Sequence, residues 1–213
     1  MPSYFSIIIE LISICFAIFF IGNKRGWIFI FIPYLLLTVT VELIGYVLDN
    51  IYLKSNHFIF NLYYPFFAGF NFWVLHHCIN LIKKISGWIW FMLVTIDVLV
   101  YLIEFIVNKF TSFVQHTNIV TMLLLTIICC YYYYILLKQD KYFSLAKYYP
   151  FWLVSGIFIF CFGSTMCSIF YIQLMQIKHK YNIPIRIILY FIFNIFLYGF
   201  WSYSFVCFGR KKK

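Results

Sequence analysis

The chain has 213 residues, of which 65% are hydrophobic, 25% aromatic and only 10% charged. A soluble domain of this size needs far more surface charge, so the composition excludes one and implies an integral membrane protein embedded in the lipid bilayer. The formal net charge of +10 sits in short loops between apolar runs, where orientation in a membrane explains it and nucleic-acid binding is not implied.

Seven apolar segments are long enough to span, at roughly 4–22, 27–50, 58–82, 88–107, 118–137, 151–176 and 185–207. They are apolar on nearly all faces, unlike soluble amphipathic helices, and they lack the short alternating strands of a membrane barrel. The predicted fold is all-α: one seven-helix membrane domain over 1–213. The first segment carries Glu10 and has no basic leader or small-residue cleavage site, so it is expected to be a span rather than a signal peptide. Between segments lie turn and charge signals such as Asn23-Lys24-Arg25-Gly26, Lys54-Ser55-Asn56-His57 and Lys83-Lys84-Ile85-Ser86-Gly87. The longest break, 138–150, is too short to fold by itself, so a soluble signalling domain is expected on another chain.

Lys24, Arg25, Lys83, Lys84, Lys138, Lys141, Lys147, Arg210 and Lys211 to Lys213 fall on one side; Lys54, Lys109, Lys178, Lys180 and Arg186 fall on the other. The positive-inside rule then predicts an external N-terminus and a cytoplasmic C-terminus. Trp27, Trp88 and Trp152 each open an even-numbered segment after a basic loop, where an interfacial Trp belongs. Pro65 is expected to bend the third segment. The echo between Ile59-Phe60-Asn61 and Ile192-Phe193-Asn194 reads as chance in so aromatic a chain rather than as a transporter repeat.

Five of the six acids lie in or at the rim of these segments. Glu42, Tyr46 and Asp49 in the second repeat the acid–Tyr–acid spacing of Asp97, Tyr101 and Glu104 in the fourth. Spacing of i, i+4 and i+7 puts each trio on one helix face. Both segments are predicted to run outward, so matching acids share a depth, and the faces are expected to meet in an outward-opening polar site. Glu10 is a further candidate. Intramembrane acids are costly and face a bundle interior, where they are expected to be protonated or hydrogen-bonded, with Tyr46 and Tyr101 as donors. The competing reading is that each acid satisfies a neighbouring helix and holds no ligand. Asn61, Tyr64 and Asn71 in the third segment, Ser164, Thr165, Ser168, Tyr171 and Gln173 in the sixth, and Asn194, Tyr198 and Ser202 in the seventh are candidate partners, although membrane Ser and Thr more often bond their own backbone.

His57, His116 and His179 all fall on the predicted outer side; they read as solvated residues, with a pH or metal sensor as the sharper alternative. His76 and His77 read as interfacial. Tyr131 to Tyr134 run right round their helix and read as an aromatic belt rather than a binding face. The seven cysteines lie in apolar runs without metal-site spacing and read as small hydrophobes. No cofactor or metal site is predicted. The last segment has no interior Lys for a retinal Schiff base, and the sixth and seventh have no His for an amidase or serine-protease dyad. No catalytic residue is assigned, and no motif supports an enzyme.

Glu42-Leu43-Ile44-Gly45-Tyr46, followed by Asn61 and Tyr64, resembles a pattern in small seven-helix membrane proteins of Bacteroidota-type bacteria. That resemblance implies a bacterial inner membrane and no particular activity. The functional expectation is a receptor- or sensor-like module. Its outward acidic site would take a small or cationic ligand or protons, and its basic inner face would meet a cytoplasmic signalling protein. A small-solute or proton-coupled transporter is the alternative, and an intramembrane lipid enzyme a distant third.

Overall fold

In the computed structural model, residues 4–22, 26–52, 55–108, 112–139 and 144–210 are described. Among these the secondary structure is helical throughout, apart from turns. The helices are α1 (Tyr4–Ile21), α2 (Phe31–Asn50), α3 (His57–Asn80), α4 (Gly87–Asn108), α5 (Gln115–Leu137), α6 (Tyr149–Ile169), α7 (Tyr171–Tyr181) and α8 (Ile185–Arg210). Short 3₁₀ turns at Trp27–Ile30 and Leu145–Lys147 precede α2 and α6. Six helices, all but α1 and α7, are long and apolar enough to cross a membrane. The all-α expectation therefore stands, and the architecture is consistent with a multi-pass membrane protein. Many of the basic residues behind the predicted orientation, including Lys24, Arg25, Lys54, Lys109, Lys141 and Lys211 to Lys213, lie outside the described residues.

One predicted boundary needs correction. The sixth segment, expected at 151–176, ends as α6 at Ile169, and a separate helix, α7, follows the turn at Phe170. The composition changes here: Gln173, Gln176, Lys178, His179 and Lys180 replace an unbroken apolar run, and no α7 residue is buried. The Ser168 hydroxyl donates to the Ser164 carbonyl at 3.0 Å, the kind of local bond that bends a helix end. Asn182 closes α7 in the left-handed conformation at φ 54°, and Pro184 follows two residues later, a common helix stop.

The described residues divide into two compact units, 1–40 with 143–213, and 41–142. In the first, α8 is the axis. Its face of Leu197, Tyr198, Trp201, Ser204 and Phe205 is buried. Phe31 packs edge-on against Trp201 and Phe205, with ring centroids 5.1 and 5.4 Å apart. Helix α6 runs antiparallel to α8: Trp152 meets Phe200 and Tyr203, and the Ser204 hydroxyl donates to the Tyr149 carbonyl at 2.9 Å. Helix α1 runs parallel to α8, with Phe5 beside Phe191 and Phe20 beside Gly209. Its buried stripe of Ile7, Glu10, Ile14, Ala17 and Ile21 keeps a three–four spacing, which makes one helix face. Glu10 is thus fully buried on the packed face of α1.

In the second unit α3 and α5 run parallel and α4 runs antiparallel to both, as their cross-links below establish. Gly45 on α2 meets the ring of Phe60 on α3, where a Cβ would come within 2.9 Å.

Candidate functional site: the polar seam of α3, α4 and α5

Helix α4 is the most lipid-like span, and its buried side chains among those described are Trp90, Asp97 and Glu104. Their spacing of seven is two helical turns, so one narrow stripe docks the helix while most of its remaining surface is apolar and exposed. Lipid tails are as apolar as Leu, so burying Leu gains little here; polar bonds and close packing hold the helices instead.

Both acids on that stripe have identified partners. Glu104 reaches the start of α5. It accepts from the His116 backbone N–H at 3.0 Å, the Thr117 N–H at 2.7 Å and the Thr117 hydroxyl at 2.6 Å. The first N–H groups of a helix have no intrahelical acceptor, and the residue before α5, Val114, offers no capping side chain. A carboxylate from the neighbouring helix supplies the cap, with charge of the sign the helix N-terminus favours. Asp97 is hydrogen-bonded to the Thr121 hydroxyl, one turn further along α5. That hydroxyl also lies 3.0 Å from the Thr117 carbonyl.

Tyr101 donates to the Asn61 carbonyl at 3.1 Å. The reason lies four residues on. Pro65 is inside α3 and has no N–H, so the carbonyl of Asn61 loses its helical donor. In hydrocarbon an orphan carbonyl costs several kcal/mol (about 2–7 on transfer scales), and the Tyr101 hydroxyl removes that cost. The Asn61 side chain is used as well: its amide donates to the Ser112 carbonyl at 2.8 Å and its oxygen accepts from the Val114 N–H at 3.2 Å. The Tyr64 hydroxyl donates to the Thr117 carbonyl at 3.2 Å, and its ring stacks on Tyr101 at 6.3 Å. At the other end Trp90 packs edge-on against His76 at 5.1 Å.

This geometry yields a coupled expectation. Tyr101→Phe in the wild-type background orphans the Asn61 carbonyl and should cost about 1–3 kcal/mol. In a Pro65→Ala background residue 65 regains an N–H, and the same Tyr101→Phe change should be close to neutral. A thermal double-mutant cycle on the purified protein reads the coupling. Additive losses would mean that Tyr101 does not serve the carbonyl that Pro65 frees.

The sequence-predicted residues are therefore placed as follows. Asp97, Tyr101, Glu104 and Asn61 form one connected network. The donors to the two acids are Thr117, Thr121 and the α5 backbone, where a tyrosine was expected. Glu42, Tyr46 and Asp49 are half-buried on α2, and Asn194 is half-buried on α8. Asn71 donates to the Phe67 carbonyl at 2.8 Å. Thr165, Ser168 and Ser202 bond their own helix backbone, the ordinary use of such residues in a membrane.

Beside the Glu104 cap lies a cavity of about 550 Å³, lined by Val100, Ile103, Glu104, Phe113, Gln115 and His116 among others. Of the three predicted outer histidines, His116 lines this cavity; His57 is half-buried at the start of α3, and His179 is exposed on α7. Among the described residues no group of three His, Cys, Asp or Glu is placed to hold a metal ion. Comparison with protein-family models, with curated proteins and with solved structures gives no match.

Proposed function

We propose that the protein is a receptor-like module of a bacterial inner membrane, and that its ligand enters the cavity beside Glu104 and His116. One observation carries the reading: the carboxylate that lines the cavity is the same one that caps α5. A cation drawn to Glu104 competes with the His116 and Thr117 donors. Occupancy therefore changes the grip of α4 on α5, which is a route from ligand to helix rearrangement. The apolar lining beside a single carboxylate favours a small organic cation over a bare metal ion. In this reading the cavity end faces outward, as the positive-inside rule favours, and the basic end meets a cytoplasmic partner.

The test uses tetraalkylammonium ions and choline with the purified full chain in neutral detergent. Wild type should gain thermal stability in a saturable way. Ile103→Trp, which fills the cavity from an exposed position and leaves Glu104 in place, should abolish the gain. Equal stabilisation of both proteins would reject the site. The transporter alternative has its own outcome: a cysteine at position 103 would react with impermeant reagents from both sides of the membrane, whereas the receptor reading requires one side.

A further inference from the structure

A second cavity of about 550 Å³ lies at the opposite end of the α3–α5 pair, among Lys83, Tyr131, Tyr134, Lys138 and Gln139. We propose that it binds the phosphate of an anionic phospholipid, with the two lysines on the headgroup and the tyrosine rings along the glycerol and upper acyl chain.

The site is built from helix ends. The chain leaves α3 at Asn80 and turns through Leu81 to Lys83, where the Lys83 N–H donates to the Ile79 carbonyl at 2.8 Å. Helix α5 closes at Lys138, whose N–H donates to the Tyr134 carbonyl at 3.2 Å. The Gln139 side-chain amide donates to the Ile82 carbonyl at 3.4 Å, which ties the two ends together and sets the lysines on either side of one opening. Both lysines are exposed.

The chemistry of the lining selects the ligand. Two ammonium groups with adjacent phenol hydroxyls and an amide suit a phosphate ester: the lysines supply charge, and the hydroxyls donate to the remaining oxygens. A free anion in water would use only that half. The other half is apolar: Ile82 and Ile135 line the cavity, and Leu81 and Leu137 stand beside it at 53% and 82% exposure. A headgroup with an attached chain covers both. The depth agrees, because the cavity sits where two spanning helices end, at the level of a bilayer's headgroups. Lys84 follows Lys83 directly in the chain and is also exposed, so it adds positive charge beside the opening.

The run from Tyr131 to Tyr134 fits this use better than a uniform belt. Tyr132 is fully buried, whereas Tyr131 and Tyr134, three residues apart and on one face, line the opening.

The test is a lipid titration of the full chain in neutral detergent, read by native mass spectrometry and thermal shift. Phosphatidylglycerol should bind and stabilise wild type, and phosphatidylcholine should do so far less. Lys83→Gln with Lys138→Gln should weaken the phosphatidylglycerol response at least about tenfold, since each lysine near a charged surface contributes measurably. The control is Lys178→Gln with Lys180→Gln on α7, which removes the same charge elsewhere and should leave the response unchanged. An equal loss in the control would mean diffuse attraction, and would overturn the site. Glycerol phosphate or inorganic phosphate stabilising as strongly as the lipid would overturn the lipid as the source of the phosphate. Unchanged phosphatidylglycerol binding in the Lys83/Lys138 variant would overturn the proposal outright.

Discussion

Glu104→Ala is expected to lower the unfolding free energy of the chain by about 2–4 kcal/mol, because it leaves three donors at the start of α5 without an acceptor in a buried place. The donors are the backbone N–H groups of His116 and Thr117 and the Thr117 hydroxyl. Glu104 is 7% exposed, so water replaces it poorly. Helix α5 has no acid in its first turn and no capping side chain of its own, which leaves its N-terminus dependent on α4. Glu104→Gln should fall between: the amide keeps one acceptor oxygen but turns an NH₂ toward another donor. Thr117→Ala should cost less than Glu104→Ala, because both backbone N–H bonds survive. Its effect should shrink further once Glu104 is gone, since the hydroxyl then has no carboxylate to meet. Thermal unfolding of the purified variants measures all of these. A Glu104→Ala protein that unfolds like wild type would remove α4 from any capping role, and with it the proposed coupling between cavity and helix.

The limits of several helices were legible from the sequence because charge and turn residues punctuate apolar runs, and α2 to α5 and α8 end within a few residues of those signals. The break at Phe170 was hidden because Tyr171, Ile172, Leu174, Met175 and Ile177 carry the apolar run past it. The stripe Asp97–Tyr101–Glu104 was legible from spacing alone. Its partners were not. Thr117 and Thr121 look no different in sequence from Thr95 and Thr126, which bond the backbone carbonyl four residues before them. One partnership could have been deduced. A proline at 65 frees the carbonyl at 61 by the arithmetic of the helix, and a membrane helix must find that carbonyl a donor. Which neighbour supplies it depends on packing, and a single sequence does not state packing. The same limit separates the two acids of α4 by role: equal in type, one caps a helix end and the other meets a hydroxyl in mid-span.

The second large effect is expected at the α6–α8 contact, where Gly156→Leu should prevent the first unit from packing at all. Gly156 and Gly163 lie seven residues apart and face α8 from one side of α6. A Cβ at 156 would stand 3.1 Å from the Leu197 carbonyl oxygen and 3.3 Å from the Trp201 ring. A Cβ at 163 would stand 2.5 Å from the Phe193 ring. The closer approach is the more forgiving one. Phe193 is half-buried, and its ring is the far end of a side chain that can rotate away. The atom facing Gly156 is main chain, and Trp201 beside it is 1% exposed and wedged against Phe31 and Tyr34. Gly156→Ala should therefore cost about 1–3 kcal/mol, with no single truncation able to restore it, because relief requires α6 and α8 to separate. Gly163→Ala should be rescued by Phe193→Leu. Membrane helices gain much of their association from such close approach, so moving them apart sacrifices packing along the whole contact. The two alanine variants, with and without Phe193→Leu, can be compared by thermal unfolding in one detergent. Rescue at both positions, or at neither, would show that rigidity of the opposing atom does not decide the cost.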